Sequence, residues 1–202
     1  YVTAERFGRS VVTITTRGVA GHAGNRPEYT ANPFVELSDV VEYLESRCDR
    51  ERGIWYSPVS LHGGDKGPTA MTPEDAYVIY DIRYVDETLQ KEAEETLRSL
   101  KPKQANVHFE ISGGMEKPPF RQTEASSWLP ARAKAIVEEM GHPFLPTRLG
   151  GGSDANFTAA AGCPTLCGLG LNGDFLHNPK EYVVIHTIPD RVALLAELIR
   201  TI

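Results

Sequence analysis

Three stretches of this chain carry residue types and spacings that could do chemistry. The first is Leu149-Gly150-Gly151-Gly152-Ser153-Asp154-Ala155-Asn156-Phe157. Three successive glycines lack a Cβ, so the backbone turns tightly and approaches a ligand closely. Ser153 or Asp154 is expected to cap a helix through Asn156-Phe157-Thr158-Ala159-Ala160-Ala161. Loop N–H groups at the positive end of that helix would suit a carboxylate or an oxyanion; an ordinary glycine-rich turn capped by Ser153 is the alternative. The second stretch, from Gly168 to Leu176, delivers His177 ahead of Glu181-Tyr182-Val183. Neutral imidazole is the commonest metal ligand, which makes His177 a candidate. The third is Gly18-Val19-Ala20-Gly21-His22-Ala23-Gly24, a glycine-rich loop at a strand end. A side chain projects freely there, and functional residues concentrate in such loops; a solvated loop histidine is the other reading of His22.

Other chemistries find little support. A metal needs three or four protein ligands, and neither H-E-x-x-H nor C-x-x-C occurs. Ser153 is followed by Asp154-Ala155 rather than by the residues of a nucleophile elbow, and the phosphate-loop lysine is absent, so a triad or nucleotide site is not expected. His62, His108, His142 and His186 are read as surface or strand-face residues. Cys163 and Cys167, in an apolar run, are read as core rather than metal-binding.

Composition bounds the setting. With 21 basic and 27 acidic side chains the net charge is -6, which argues against a nucleic-acid partner. No apolar run is long enough for a membrane span and the start has no signal-peptide core, although the chain opens on Tyr1 rather than methionine. Cys48, Cys163 and Cys167 make no disulfide framework, which suggests a reducing, cytoplasmic location.

The elements that must position these loops follow from periodicity. Ser10 to Arg17 is β-branched and alternating, hence a strand. Asn32 caps, and Pro33 opens, a helix to about Arg47, with Phe34, Val35, Leu37, Val40, Val41 and Leu44 at helical spacing. Strands are expected near Ile54–Leu61 and over Ala76–Tyr84, a charged amphipathic helix over Glu87–Leu100, and a strand over Asn106–Ser112. This β-α-β-β-α-β order is the split βαβ of ferredoxin-like domains. Gly113 to Phe120 reads as a linker, placing domains at 8–114 and 120–202. The second domain is expected to hold a helix from about Ser126 to Met140, the glycine loop with a short helix, and a strand near Pro164–Leu169. A final helix, Pro189–Ile202, would put Val192, Leu195, Leu198 and Ile199 on one face. The alternation suggests part of an α/β domain.

Taken together, Gly21-His22-Ala23-Gly24-x-x-Pro27-Glu28, Asp81-x-Arg83-Tyr84, Gly150-Gly151-Gly152-Ser153-Asp154-Ala155, and His177 with Glu181-Tyr182-Val183 occur in one order. That order resembles the C-terminal half of the co-catalytic zinc peptidases of the glutamate carboxypeptidase, acetylornithine deacetylase and succinyl-diaminopimelate desuccinylase family. The glutamate carboxypeptidase branch is the nearest in its glycine loops. The resemblance implies a ferredoxin-like lid that dimerises, followed by the end of a zinc-binding α/β domain. It implies that His22 reaches the partner subunit's site and stabilises an oxyanion, and that His177 ligates one of two zinc ions. It implies that Gly150, Gly151, Gly152 and Ser153, with Arg83 and Lys117, bind the substrate. Two positions depart from the family: Ala70 stands where asparagine is frequent, and Lys117 replaces an arginine, keeping the charge without its bidentate fork.

The implied activity is metal-dependent cleavage of an amide next to a free carboxylate, in a dipeptide or an N-acyl amino acid. The family's remaining zinc ligands and its general base lie in an N-terminal half not found in these residues, so this chain by itself is expected to be inactive. A non-enzymatic dimerisation or ligand-sensing module is the rival reading.

Overall fold

The computed structural model describes residues 2–25, 27–64 and 70–202; Tyr1, Arg26 within the His22 motif, and residues 65–69 lie outside the described residues. Residues 2–7 and 119–202 form one compact unit and Gly8–Pro118 another. β1 (Val2–Arg6) belongs to the former and β2 (Gly8–Arg17) to the latter.

In the Gly8–Pro118 unit β2 is followed by β3 (Gly21–His22), α1 (Pro33–Ser46), β4 (Ile54–Gly63), β5 (Met71–Thr72), β6 (Asp75–Tyr84), α2 (Glu87–Arg98) and β7 (His108–Lys117). The four long strands make one antiparallel sheet in the order β4-β6-β2-β7, the ferredoxin-like arrangement that the sequence predicts. Side chains alternate across a strand, so β2 turns Val12 and Ile14 inward while β6 turns Val78, Tyr80, Ile82 and Tyr84 inward. Leu37, Val40 and Leu44 of α1 and Leu89, Ala93 and Leu97 of α2 cover that face. Val35, counted with the apolar face of α1 from spacing, is exposed instead.

Both helices start where their caps dictate. Asn32 Oδ1 accepts from Phe34 N at 3.0 Å with Pro33 at the first turn, and Asp86 Oδ1 accepts from Leu89 N at 2.9 Å. The carboxylate of buried Glu36 accepts from the backbone N–H groups of Lys103 and Gln104, which ties α1 to the connection between α2 and β7. On the other face, Asp81 sits between Arg9 (2.8 Å) and Arg83 (2.5 Å), and Arg9 also pairs with Glu116. Burial works against the charged form of Asp81, but hydrogen bonds and charge from Arg83 and Arg9 outweigh it and hold the carboxyl below its usual range.

Residues 113–117, read as a linker, are the second half of β7 and pair with β2 through a bulge opposite Arg9 and Ser10. Gly113 has φ 92°, and a Cβ there would lie 2.2 Å from the Val11 carbonyl oxygen. Glycine is therefore a requirement of close strand approach, not a mark of flexibility.

The other unit adds α3 (Trp128–Glu139), β8 (Pro146–Leu149), α4 (Ala155–Ala160), β9 (Gly173–Asp174), β10 (Tyr182–Val183) and α5 (Ile188–Thr201). β1 and β8, neither expected from the sequence, pair in parallel, and β9 pairs with β10. Val2, Ala133, Ile136, Leu194 and Leu198 form the core. The strand expected near Pro164–Leu169 is only a bridge between Thr3 and Cys167. The apolar face of α5 also differs from expectation: Leu194 and Leu198 are buried, while Val192, Leu195 and Ile199 are exposed. Among the described residues no helix is long and apolar enough to cross a membrane.

Because the Asp81 carboxyl is lowered, its contribution is present above the ordinary carboxylate range and lost as pH falls through the lower folded value. Asp81→Asn is expected to lose about 1–3 kcal/mol at pH 7. Urea midpoints should differ from the parent at pH 7 and converge as the pH falls below the lowered value of Asp81. An equal gap at both pH values would show that the charge of Asp81 is not the stabilising feature.

Candidate functional site

His22 sits in a frame made almost entirely of backbone. After β2, Gly18 N donates to Glu74 O at 2.7 Å, and a Cβ on Gly18 would lie 2.0 Å from the Ala31 carbonyl oxygen. Val19 and Ala31 exchange two backbone hydrogen bonds, and β3 pairs with β5 so that His22 stands opposite Met71. Ala23 N donates to the Ala70 carbonyl at 2.7 Å, so Ala70 contributes main chain where the family's asparagine would add a side chain. The imidazole is exposed, and its Nδ1 accepts from Gly24 N and Asn25 N, both at 3.1 Å.

The same unit holds Arg83 and Lys117. Arg83 donates to Asp81 through Nε at 2.5 Å and Nη2 at 3.0 Å, so the carboxylate it holds in the fold is an internal one. Lys117 is the half-buried last residue of β7, opposite Arg9.

In the other unit the glycine loop leaves β8 at Leu149 and is secured by residues the sequence reading did not assign to it. Arg6 Nη1 donates to the Gly151 carbonyl at 2.7 Å. Asn156, fully buried on α4, accepts from Ser153 N at 2.9 Å and donates through Nδ2 to the Phe7 carbonyl at 3.1 Å. Asp154 at the cap position makes no side-chain capping bond, whereas Ser153 Oγ accepts from Ala155 N at 3.3 Å. The expected cap thus falls to Ser153 rather than Asp154, and the Asn156 carboxamide returns a bond to the Ser153 N–H. The Ser153 N–H is used internally, so an anion-binding reading rests on the glycine backbone.

Cys167 lies against the same loop. Arg6 Nε donates to its Sγ at 3.2 Å, and Ser153 Oγ is 3.3 Å from it. Burial disfavours the thiolate, yet Ser153, Arg6 and the Gly168 backbone outweigh burial and make the thiol more acidic than an ordinary cysteine. Cys163, read as core, is exposed.

His177 occupies the loop between β9 and β10 and is exposed. Its φ is 64°, and that of Phe175 is 59°, the left-handed region that non-glycine residues rarely adopt. Glu181 Oε2 accepts from His177 N at 3.2 Å, Asp174 Oδ1 accepts from Phe175 N at 2.7 Å, and the Phe175 and Tyr182 rings lie 6.2 Å apart. Each left-handed residue costs on the order of 1–3 kcal/mol, and such strain clusters at functional loops. Among the described residues no three His, Cys, Asp or Glu side chains are grouped to hold a metal ion. His177 can serve as one ligand, but these residues do not by themselves fit a metal pair. Of the remaining histidines, His62 stacks on Tyr77 and His142 pairs with Asp190 at 3.1 Å, partners that spacing did not reveal.

A sequence model described as a peptidase dimerisation domain matches residues 4–108. Carboxypeptidase G2 of a Pseudomonas species is 31% identical over 198 residues, covering 95% of this chain and 47% of its own length. A succinyl-diaminopimelate desuccinylase of Hydrogenovibrio crunogenus is 27% identical over 187 residues, covering 85% of this chain and 46% of its own length. The chain therefore spans about half the length of the curated relatives it matches. Among solved structures, a Staphylococcus aureus tripeptidase has a TM-score of 0.82 at 15% identity, and aminopeptidase PepT of Bacillus cereus 0.81 at 20%. Each comparison covers 98% of this chain and 52% of the other, and at those identities the likeness shows the fold.

Asn156→Ala would strand the Ser153 N–H and the Phe7 carbonyl. It is expected to destabilise its unit by about 1–3 kcal/mol, read as a lower urea midpoint. An unchanged midpoint would mean that the carboxamide does not hold the glycine loop.

Proposed function

This chain belongs to the peptidase family whose dimerisation domain it carries, a family of generally metal-dependent hydrolases, and on that premise we propose an amidohydrolase. The intact enzyme would cleave an amide next to a free carboxylate, in a dipeptide or an N-acyl amino acid. The observation that carries this reading is 31% identity to a carboxypeptidase across 95% of the chain.

The roles follow from the groups present. His22 is the donor to the carbonyl oxygen as it becomes anionic, delivered across a homodimer built through the Gly8–Pro118 unit. The Gly150–Gly152 backbone receives the substrate carboxylate, and Lys117 adds a positive charge to its surroundings. Arg83, assigned with the substrate-binding residues, is held in place by Asp81. His177 would be one ligand of a zinc pair; the others would come from sequence outside these residues, and the 202-residue chain alone would be inactive. Free thiols fit a reducing, cytoplasmic setting.

The test is zinc content, together with hydrolysis of dipeptides and N-acyl amino acids. Both are measured on this chain alone and on the chain joined to the upstream half that its relatives possess. Metal and activity are expected only in the joined protein. There, His22→Ala should lower kcat on the order of a hundredfold or more, the effect of removing one oxyanion donor, with zinc retained. Unchanged turnover would remove His22 from the mechanism. A joined protein that binds no zinc would instead favour the dimerisation or ligand-sensing module.

A further inference from the structure

The neutral imidazole of histidine has one nitrogen that donates and one that accepts. Among the described residues, two backbone N–H groups reach the same atom of the His22 ring. Gly24 N and Asn25 N each lie 3.1 Å from Nδ1. Asn25 N is also 3.3 Å from the His22 carbonyl oxygen, which closes a tight turn around the side chain. The turn is tied to the neighbouring chain, where Ala23 N donates to Ala70 O and β3 is paired to β5. An Nδ1–H tautomer would place three hydrogens against one another.

We propose that the Gly24 and Asn25 main-chain N–H groups clamp the tautomer of His22, keeping the lone pair on Nδ1 and the proton on the outward Nε2. The ring then presents one preset donor to a carbonyl oxygen and needs no reorganisation when charge develops there. This rests on the proposed oxyanion role of His22, and makes Gly24 and Asn25 positioning residues for it. What position 24 must supply is its N–H rather than an absent side chain, since a Cβ on Gly24 would meet the His22 ring at ordinary contact distance, 3.7 Å.

The tautomer can be read without any activity. In this chain with 15N-labelled histidine, the His22 signals are assigned by their loss in His22→Gln. A single form is expected at neutral pH, with a proton bonded to Nε2 and none on Nδ1. Gly24→Ala should keep it, whereas Gly24→Pro, which removes one N–H, should yield a mixture. If Gly24→Pro does not fold, the parent and Gly24→Ala spectra still decide. A mixture of tautomers or the Nδ1–H form in the parent would overturn the clamp.

The role of the donor is read separately in the joined, active protein. His22→Gln places an amide near the Nε2 position and should keep kcat within about tenfold. His22→Asn places it near Nδ1 and should lose on the order of a hundredfold, both with little change in KM. A single Nε2–H form combined with equal activity of the Gln and Asn variants would leave the clamp standing and overturn the oxyanion role.

Discussion

The ladder between β2 and β6 is the constraint on which the Gly8–Pro118 unit depends. It pairs every residue from Gly8 opposite Tyr84 to Arg17 opposite Asp75 without interruption. Side chains alternate faces, so a slip of one residue would turn Val12, Ile14, Val78 and Ile82 to solvent and bring Arg9 and Asp81 into the core. The register therefore also sets the outer face, where one carboxylate answers two guanidinium groups. It further sets what happens at the ladder's open end. β2 runs on through Gly18 to β3, while β6 is preceded directly by β5, and the β3–β5 pair is where His22 is held. A loop built this way is anchored to the sheet without containing any of its core.

In the other unit the equivalent work is done by polar side chains rather than by a ladder. Its sheets are only two-stranded, and its glycine loop is exposed. Three successive glycines lose much conformational freedom on ordering, and local side-chain bonds are what offset that loss. Arg6 holds the Gly151 carbonyl, and Asn156 bridges Ser153 to Phe7. The His177 loop is ordered in the same manner, with Asp174 and Glu181 carboxylates accepting from backbone N–H groups beside the two left-handed residues. Both loops thus spend hydrogen-bonding capacity on holding shape.

The corrections share one cause. Gly113–Lys117 read as a linker because glycine is assigned to turns by composition, whereas here an edge strand needs glycine to pass close to Val11. On α5, Val192, Leu195 and Ile199 have helical spacing as good as that of Leu194 and Leu198; periodicity names apolar faces without saying which one meets a neighbour. β1 and β8 went unseen because they are short, and because each is stabilised by pairing 144 positions away at Thr3 and Thr147. Asn156 looked like a helix residue because nothing in the sequence says that Phe7 lies beside it.

The sequence by itself determined the split βαβ order, the helix cap at Asn32, and the positions of His22, the glycine loop and His177, because periodicity, capping and glycine content are local properties. The family likeness was legible for the same reason, in four short motifs read in order. Only the tertiary structure decided what those residues face. The pairing of Arg83 with Asp81, the two N–H groups on His22 Nδ1, and the burial of Asn156 all depend on contacts whose geometry is fixed by folding. Spacing brings a residue to a loop; the charges and hydrogen bonds that set its chemistry are supplied by the backbone and side chains that the fold packs against it.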